Sequence, residues 1–370
     1  MNVPFPSDPS GPRPPQERPV HNSLTYADIK TAAERIRGHV RPVTIARADP
    51  GDRPYALHLA LELMQHTGSF KARGAQNFLL AHREEGTLPA AGVTIASGGN
   101  AGLACAWAAL RQGVTATVFL PTTAPKVKVD KLVGYGADVR LVGTEYAEAL
   151  AACEAFATET GALASHAYDH PLIAAGAGTL LDEIHEAIPD LDTVVVAVGG
   201  GGLFAGVATA ARHHGIRTVA VEPENCRALD AALRAGHPVD VTVDSVAADS
   251  LGARRVSDTA VAAARQDGVR TALVTDAEIV RARRALWDDR RLAVEHAAAT
   301  ALAALTAPDP HGAPDLDGAG PGGAPYLDGA TSVGYRPAPG ETVCVVLCGA
   351  NTDPTDLTRG PAGEGTIKPA

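Results

Sequence analysis

A lysine within a run of small residues is the first candidate for chemistry in this sequence. Lys71 follows Phe70 in residues 67–75 (TGSFKARGA), after a strand-like stretch at residues 55–63 and before a helical one. Most lysines are solvated surface charges. A lysine that is held beside an aromatic ring and partly desolvated has a lowered pKa, and its neutral amine is then a Schiff-base nucleophile. The context of Lys71 indicates this second situation.

Three glycine-rich turns follow apolar stretches of the chain. They are Ser97-Gly98-Gly99-Asn100, Gly199-Gly200-Gly201-Gly202 and Cys348-Gly349-Ala350-Asn351. The first two open helical stretches, where bare backbone N–H groups and the positive end of the helix dipole suit a phosphate or a carboxylate. Close packing of helix on sheet explains a single turn of this kind about equally well. Two such turns after buried strands favour an anionic ligand with two anchoring points.

The elements that position these residues alternate along the chain. Strand-like stretches occur at residues 93–96, 116–120, 138–142, 193–198, 218–222 and 342–347, and Ala-rich helical windows at 101–112, 146–158 and 204–214. Nearly continuous apolar strands that alternate with helices are typical of parallel sheets covered on both faces. In such folds the site lies beyond the carboxyl ends of the strands. We therefore predict an α/β fold with two doubly wound, mostly parallel-sheet lobes.

The amino-acid composition limits which kinds of partner this protein can bind. The 370 residues include 32 Lys and Arg against 42 Asp and Glu, a formal net charge of −10. Without a basic stripe, nucleic acid and an anionic membrane surface are disfavoured. Five scattered cysteines argue against a disulfide framework or a zinc site and fit a reducing cytoplasm. No signal peptide and no membrane-spanning run are recognised, so we expect a cytoplasmic protein.

The tetraglycine turn also fits a dinucleotide site. Gly200, Gly202 and Ala205 form a G-x-G-x-x-A pattern after a strand-like stretch, and Glu222 ends the next such stretch. That spacing of about 20 residues is the one expected for the acid that binds the ribose of NAD. An NAD-dependent oxidoreductase is therefore a rival interpretation, although it gives Lys71 no function.

Four segments together resemble fold-type II pyridoxal-phosphate enzymes, the tryptophan-synthase-β superfamily. TGSFKARGA resembles their cofactor-lysine motif, SGGNAG their asparagine-containing loop, GGGGLFAG their phosphate loop and VVLCGAN their last core strand. The segments follow the family's order, and the resemblance covers about residues 24–351. Within the superfamily the sequence is most similar to the L-serine/L-threonine dehydratases, especially the short serine dehydratase type.

The resemblance implies a function for particular residues. Lys71 would form the Schiff base with pyridoxal 5'-phosphate and later move the Cα proton. Phe70 and Ser250 would lie on the two faces of the pyridine ring, and Cys348 would face its nitrogen. Asn100 would bond the 3'-oxygen. Backbone N–H groups would bind the phosphate at Gly199, Gly200, Gly201, Gly202 and Leu203, and the substrate carboxylate at Ser97, Gly98, Gly99, Asn100 and Ala101.

The resemblance further implies a domain division, a cation and a partner. The small lobe would span residues 82–164 and the large lobe 21–81 and 165–370, with the cofactor cleft between them. Residues 1–20 would be a disordered arm and 307–340 a Pro/Gly-rich insertion. A monovalent cation site would involve Glu222, Cys226 and Leu251, whereas Glu222 as the cap of a helix is the alternative. We expect a homodimer.

The implied reaction is the α,β-elimination of L-serine or L-threonine to a 2-oxo acid and ammonia. Related racemases carry a serine acid where this chain has Gly98, which has no proton to give, so racemisation is disfavoured. The family often has Glu-Pro where this chain has Glu295-His296, and that helix start is assigned no function. Another β-elimination or β-replacement on a related amino acid stays open. So does an amino-acid-binding protein that kept the fold without catalysis.

Overall fold

A computed structural model describes residues 24–48, 53–306 and 334–358. The predicted arm at residues 1–20 lies outside the described residues, and so do residues 307–333 of the predicted insertion. Among the described residues, no helix is long and apolar enough to cross a membrane.

The described residues form ten strands in two sheets. They are β1 (Ile45–Arg47), β2 (Ala56–Ala60), β3 (Val93–Ile95), β4 (Ala116–Leu120), β5 (Asp138–Leu141), β6 (Leu163–Ala164), β7 (Thr193–Ala197), β8 (Arg217–Pro223), β9 (Val269–Val274) and β10 (Thr342–Val346). One sheet has the order β1-β2-β10-β7-β8-β9 and the other β5-β4-β3-β6. All neighbours are parallel except β1 and β2. The predicted α/β class with two mostly parallel sheets is confirmed.

Thirteen α-helices are found in the described residues. They are α1 (Tyr26–Ile36), α2 (Lys71–Glu84), α3 (Asn100–Gln112), α4 (Lys126–Gly134), α5 (Tyr146–Thr160), α6 (Pro171–Ala187), α7 (Gly202–His214), α8 (Ala228–Ala235), α9 (Ala248–Leu251), α10 (Asp258–Ala264), α11 (Asp276–Arg290), α12 (His296–Thr306) and α13 (Thr355–Thr358). The six predicted strands and three predicted helices match observed elements, with ends that differ by a few residues.

The central strands are buried because helices cover both faces of the larger sheet. Every residue of β7 (TVVVA) and β10 (TVCVV) is buried, as a parallel strand between two helical layers requires. Their carboxyl ends lead directly into Gly199–Gly202 and Cys348–Asn351. The strands of the smaller sheet lie within residues 93–164. The lobe boundaries near residues 82 and 164 stay a prediction.

Small residues let three helices approach closely around the site. An ideal Cβ on Gly74 of α2 would lie 2.7 Å from the carbonyl oxygen of Ile173 in α6. An ideal Cβ on Gly206 of α7 would lie 2.3 Å from the carbonyl oxygen of Ala174. Glycine is therefore required where α2 and α7 cross α6. The helix that begins at Lys71 and the helix that follows the tetraglycine turn are thereby set against a common partner.

A buried ion-pair cluster adds to this support. The Arg73 guanidinium of α2 is fully buried and lies 2.6 Å from the carboxylates of both Glu62 and Glu183. Glu183 belongs to α6, so the cluster joins the two helices. Two carboxylates that share one guanidinium satisfy most of its donors, which a buried arginine needs.

Candidate active site

Lys71 is placed by a segment that is bonded to the end of β10. The backbone N–H of Phe70 donates to the carbonyl of Cys348 at 3.0 Å, and that of Ala350 donates to the carbonyl of Gly68 at 2.9 Å. Thr67 has a φ of 62°, an uncommon value for a residue other than glycine. Two of the predicted motifs, which lie far apart in the sequence, therefore form one local structure.

The Lys71 side chain is held by a backbone carbonyl and lies beside an aromatic ring. Its Nζ donates to the carbonyl of Ala167 at 2.9 Å and lies 4.8 Å from the centre of the Phe70 ring. Burial lowers the pKa of Lys71 to about 8, and the nearby Cys348 and Glu295 oppose that shift. A large fraction of the amine is consequently neutral near pH 8, as nucleophilic attack requires.

The tetraglycine turn forms a cradle with no room for side chains. An ideal Cβ on Gly200 would lie 2.2 Å from Cγ of Tyr168, and one on Gly201 would lie 2.3 Å from Cβ of Ala260. Gly201 also has a φ of 95°, in the left-handed region. The turn opens α7, a helix of 13 residues. Bare N–H groups at a helix N-terminus are suited to bind a phosphate.

Asn100 lies across the cavity, at the first position of α3. Its Nδ2 donates to both carboxylate oxygens of Glu295 at 2.9 Å, and its Oδ1 accepts from Nδ2 of Asn351 at 2.8 Å. Glu295 is buried and also accepts from Oγ of Ser250 at 2.7 Å. A polar network therefore connects the smaller-sheet region to the larger one.

Cys348 contributes a neutral thiol. The side chain is buried at the end of β10, and burial raises the pKa of Cys348 to about 12. The nearby Glu295 adds to that increase, and Lys71 opposes it. The thiol is therefore protonated throughout the neutral pH range.

All of the predicted cofactor residues line a single cavity. They are Phe70, Lys71, Asn100, Gly199, Gly200, Gly201, Gly202, Leu203, Ser250 and Cys348. From the predicted carboxylate loop, Asn100 lines this cavity, whereas Ser97, Gly98 and Gly99 lie half-buried beside it and Ala101 is buried. The functions of these residues stay predictions.

The predicted cation residues lie near one another, and Glu222 has a structural partner. Its carboxylate accepts from the backbone N–H groups of Leu229 at 2.7 Å and Asp230 at 2.9 Å, in the first turn of α8. Burial raises the pKa of Glu222 to about 8. Sγ of Cys226 donates to the carbonyl of Leu251 at 3.2 Å. The helix-cap alternative for Glu222 therefore has direct structural support.

Glu295, Tyr168 and Ala167 also line the cavity, and sequence reasoning assigned none of them to it. The sequence offers one weak indication for Glu295, which is an acidic residue directly before the Ala-rich helix α12. Tyr168 and Ala167 lie between β6 and α6 in a segment without a glycine turn or a charged motif. The contact from Lys71 to a backbone carbonyl has no signature in the sequence.

Comparison with known proteins decides the family. A family model described as "Pyridoxal-phosphate dependent enzyme" matches residues 36–317. The chain belongs to this family. It is 36% identical over 286 residues to an L-threonine ammonia-lyase of Geobacter sulfurreducens, covering 76% of this chain and 71% of that protein. It is 37% identical over 251 residues to a serine dehydratase-like protein of Rattus norvegicus, covering 67% of this chain and 75% of that protein.

A solved structure shows the same fold. Maize serine racemase superposes with a TM-score of 0.76 at 26% identity, covering 90% of this chain and 96% of that chain. The family membership agrees with the geometry, because the cavity joins a lysine of lowered pKa to a glycine cradle suited to a phosphate. Glu222, which the dinucleotide interpretation places on a ribose, directs its carboxylate to α8 instead. The residues present therefore fit pyridoxal phosphate.

Proposed function

We propose that this protein is an L-serine/L-threonine ammonia-lyase that releases a 2-oxo acid and ammonia by α,β-elimination. The observation that carries the proposal is the placement of Lys71, whose amine of lowered pKa enters a cavity lined by the Gly199–Gly202 cradle and Cys348. Similarity to an L-threonine ammonia-lyase and to a serine dehydratase-like protein supports this choice of reaction.

Each predicted cofactor residue has a place in the proposal. Pyridoxal phosphate, when bound, supplies an electron sink for the charge left at Cα. Lys71 would hold the cofactor covalently, and the N–H groups from Gly199 to Leu203 would bind its phosphate. Phe70 and Ser250 would flank the ring, Asn100 would donate to the 3'-oxygen and Cys348 would face the ring nitrogen.

Proton transfer is assigned to Lys71. Its amine would accept the Cα proton of the substrate, and burial favours the neutral form that can do so. The neutral Cys348 thiol would not force a proton onto the ring nitrogen as a carboxylate would. That setting favours loss of a β-hydroxyl over a long-lived carbanion. Gly98 supplies no acid on the opposite face, so we propose elimination rather than racemisation.

The substrate carboxylate is assigned to the turn before α3. Residues Ser97–Ala101 would bind it through backbone N–H groups and the Ser97 hydroxyl, because the N-terminus of α3, a helix of 13 residues, favours an anion. An ideal Cβ on Gly99 would meet nothing within 4 Å, which is consistent with open space beside the turn.

Two finer parts of the proposal concern assembly and ions. A monovalent cation would be bound near Glu222, Cys226 and Leu251, supported by the proximity of Cys226 to Leu251. In the described part of the chain, no group of three His, Cys, Asp or Glu side chains could hold a metal ion. The cation would thus rely on backbone carbonyls. The homodimer and the cytoplasmic location stay predictions.

An absorbance spectrum combined with an activity assay tests the proposal. We expect a band at about 410–420 nm that borohydride removes, with the reduced cofactor attached to Lys71. L-Serine or L-threonine should release a 2-oxo acid and ammonia in equal amounts. Lys71→Ala should abolish turnover, whereas Lys126→Ala, at an exposed position on α4, should not. Normal turnover by Lys71→Ala would refute the mechanism, and loss of fluorescence on NADH addition without any such band would favour a dinucleotide enzyme.

A further inference from the structure

Glu295 is a buried carboxylate in the cavity wall with no function in the reaction described above. Its side chain is 4% exposed. Its hydrogen-bond donors are uncharged: Nδ2 of Asn100, Oγ of Ser250 and the backbone N–H of Asn351, at 2.7–2.9 Å. A buried carboxylate is costly unless hydrogen bonds compensate it. Three groups converge on this one, so its position is strongly determined.

The close approach is built into the backbone. The N–H of Glu295 donates to the carbonyl of Gly349 at 3.1 Å. An ideal Cβ on Gly349 would lie 3.0 Å from each carboxylate oxygen. The strand end that carries Cys348 therefore leaves room for the carboxylate because residue 349 has no side chain. The start of α12 and the end of β10 hold Glu295 from both sides.

The network fixes which end of the Asn100 amide faces which neighbour. An ionised carboxylate only accepts hydrogen bonds, so Asn100 must turn its Nδ2 toward Glu295. At the other end, Nδ2 of Asn351 donates to the carbonyl of Thr67 at 2.6 Å and to Oδ1 of Asn100 at 2.8 Å. A carbonyl also only accepts. The series of hydrogen bonds thus has an acceptor at each end, the Glu295 carboxylate and the Thr67 carbonyl. Neither the Asn100 nor the Asn351 amide can therefore be reversed without losing hydrogen bonds.

We propose that Glu295 is a positioning residue that orients the Asn100 amide so that its N–H group, and not its oxygen, faces the cofactor. This inference rests on the proposed function, which places the 3'-oxygen of pyridoxal phosphate against Asn100. That oxygen carries negative charge and needs a donor. Reversal of the amide would present Oδ1 instead and replace an attraction with a repulsion. Glu295 itself need not touch the cofactor.

Glu295→Gln is the perturbation that separates orientation from packing. Glutamine has nearly the same shape but offers one acceptor oxygen and one donor group. Three donors now converge on it, so the Asn100 amide loses the constraint on its direction at this end, and only Asn351 still holds the other end. Asn100→Ala removes the donor outright. If Glu295 acts through Asn100, the glutamine variant should have an effect only where Asn100 is present.

A double-mutant cycle on cofactor affinity tests this. Apoenzyme is titrated with pyridoxal phosphate in wild type, Glu295→Gln, Asn100→Ala and the double variant. We expect each single change to weaken binding by about 10- to 100-fold, the range for losing a hydrogen bond to a charged group. In the Asn100→Ala background, Glu295→Gln should change affinity by no more than about twofold. The absorbance maximum of the bound cofactor should move in the same direction in both single variants.

Several outcomes would overturn the inference. One is a Glu295→Gln variant with the affinity and spectrum of the wild type, and another is full additivity of the two changes in the double variant. If Glu295→Gln does not fold, as judged by urea unfolding of the apoenzyme, Asn351→Ala replaces it in the same cycle, because Asn351 fixes the other end of the amide. The cycle measures cofactor affinity, so it is decided separately from turnover. Cofactor uptake without 2-oxo acid release would refute the proposed function alone.

Discussion

Gly200→Ala perturbs the proposed phosphate cradle with one methyl group. The ideal Cβ would lie 2.2 Å from Cγ and 2.3 Å from Cδ1 and Cδ2 of Tyr168. Carbon atoms in contact are about 3.5–4.0 Å apart, so the ring or the turn must move by more than about 1 Å. The Tyr168 hydroxyl donates to the carbonyl of Arg255 at 3.1 Å, which opposes movement of the ring.

The Tyr168 ring and the tetraglycine turn belong to the cavity wall, so the free-energy cost of displacing them should appear as weaker cofactor binding. Overpacking of this kind costs about 1–3 kcal/mol, which corresponds to about 5- to 150-fold in affinity. We expect titration of the Gly200→Ala apoenzyme with pyridoxal phosphate to show a dissociation constant raised within this range. Adding Tyr168→Ala removes the ring that the methyl group meets, and should recover a large part of the affinity.

Gly134→Ala is the matched control. An ideal Cβ on Gly134 of α4 would meet nothing within 4 Å, and its φ is not positive. Affinity should stay at the wild-type value, and the stability of the helix should be equal or slightly higher. Wild-type affinity in Gly200→Ala, or no recovery when Tyr168→Ala is added, would refute the argument that the cradle excludes side chains by contact with Tyr168.

Three further outcomes are expected. The rate constant for capture of pyridoxal phosphate by apoenzyme should rise with pH and level off above about pH 8. The reason is that burial lowers the pKa of Lys71 to about 8 and only the neutral amine attacks. A rate constant that continues to rise up to pH 10 would contradict this. Arg73→Met should lower the free energy of unfolding in urea by about 3–5 kcal/mol, because it leaves buried Glu62 without its partner. Lys126→Ala, which breaks an exposed ion pair, should lower the free energy of unfolding by less than about 1 kcal/mol. Equal losses of stability in the Arg73 and Lys126 variants would refute the distinction between buried and exposed pairs. All five cysteines are buried and free, so a thiol reagent should label Cys348 and the other four rapidly only in denaturant; fast labelling of the native protein would contradict the burial.

The strands and the glycine turns could be predicted because their sequences carry local constraints. A strand covered on both faces, such as β7, must be apolar at every position, and this makes it visible without its neighbours. The turn after it needs glycine for steric reasons that act within a few residues. Lys71 was recognised in the same way, from a short motif. The main residues of the cavity wall could therefore be predicted from the sequence alone.

The missing parts depend on contacts between distant residues. Glu295 is 195 residues from Asn100, and its place in the cavity follows from how α12 meets the end of β10. The carbonyl of Ala167, which accepts from Lys71, belongs to a backbone that any residue could supply. The antiparallel pairing of β1 with β2 was also not predicted, because β1 has three residues and no strong apolar pattern.

The position of β10 in the larger sheet has a consequence for synthesis of the chain. Among the described residues this strand follows the other nine along the chain, yet it lies between β2 and β7, near the middle of the order. Until residues 342–346 leave the ribosome, β2 and β7 each expose an edge with unpaired N–H and C=O groups. The nascent protein is therefore vulnerable to wrong strand pairing until β10 has been made. A chain that stops before residue 342 should therefore aggregate more readily than the 370-residue chain.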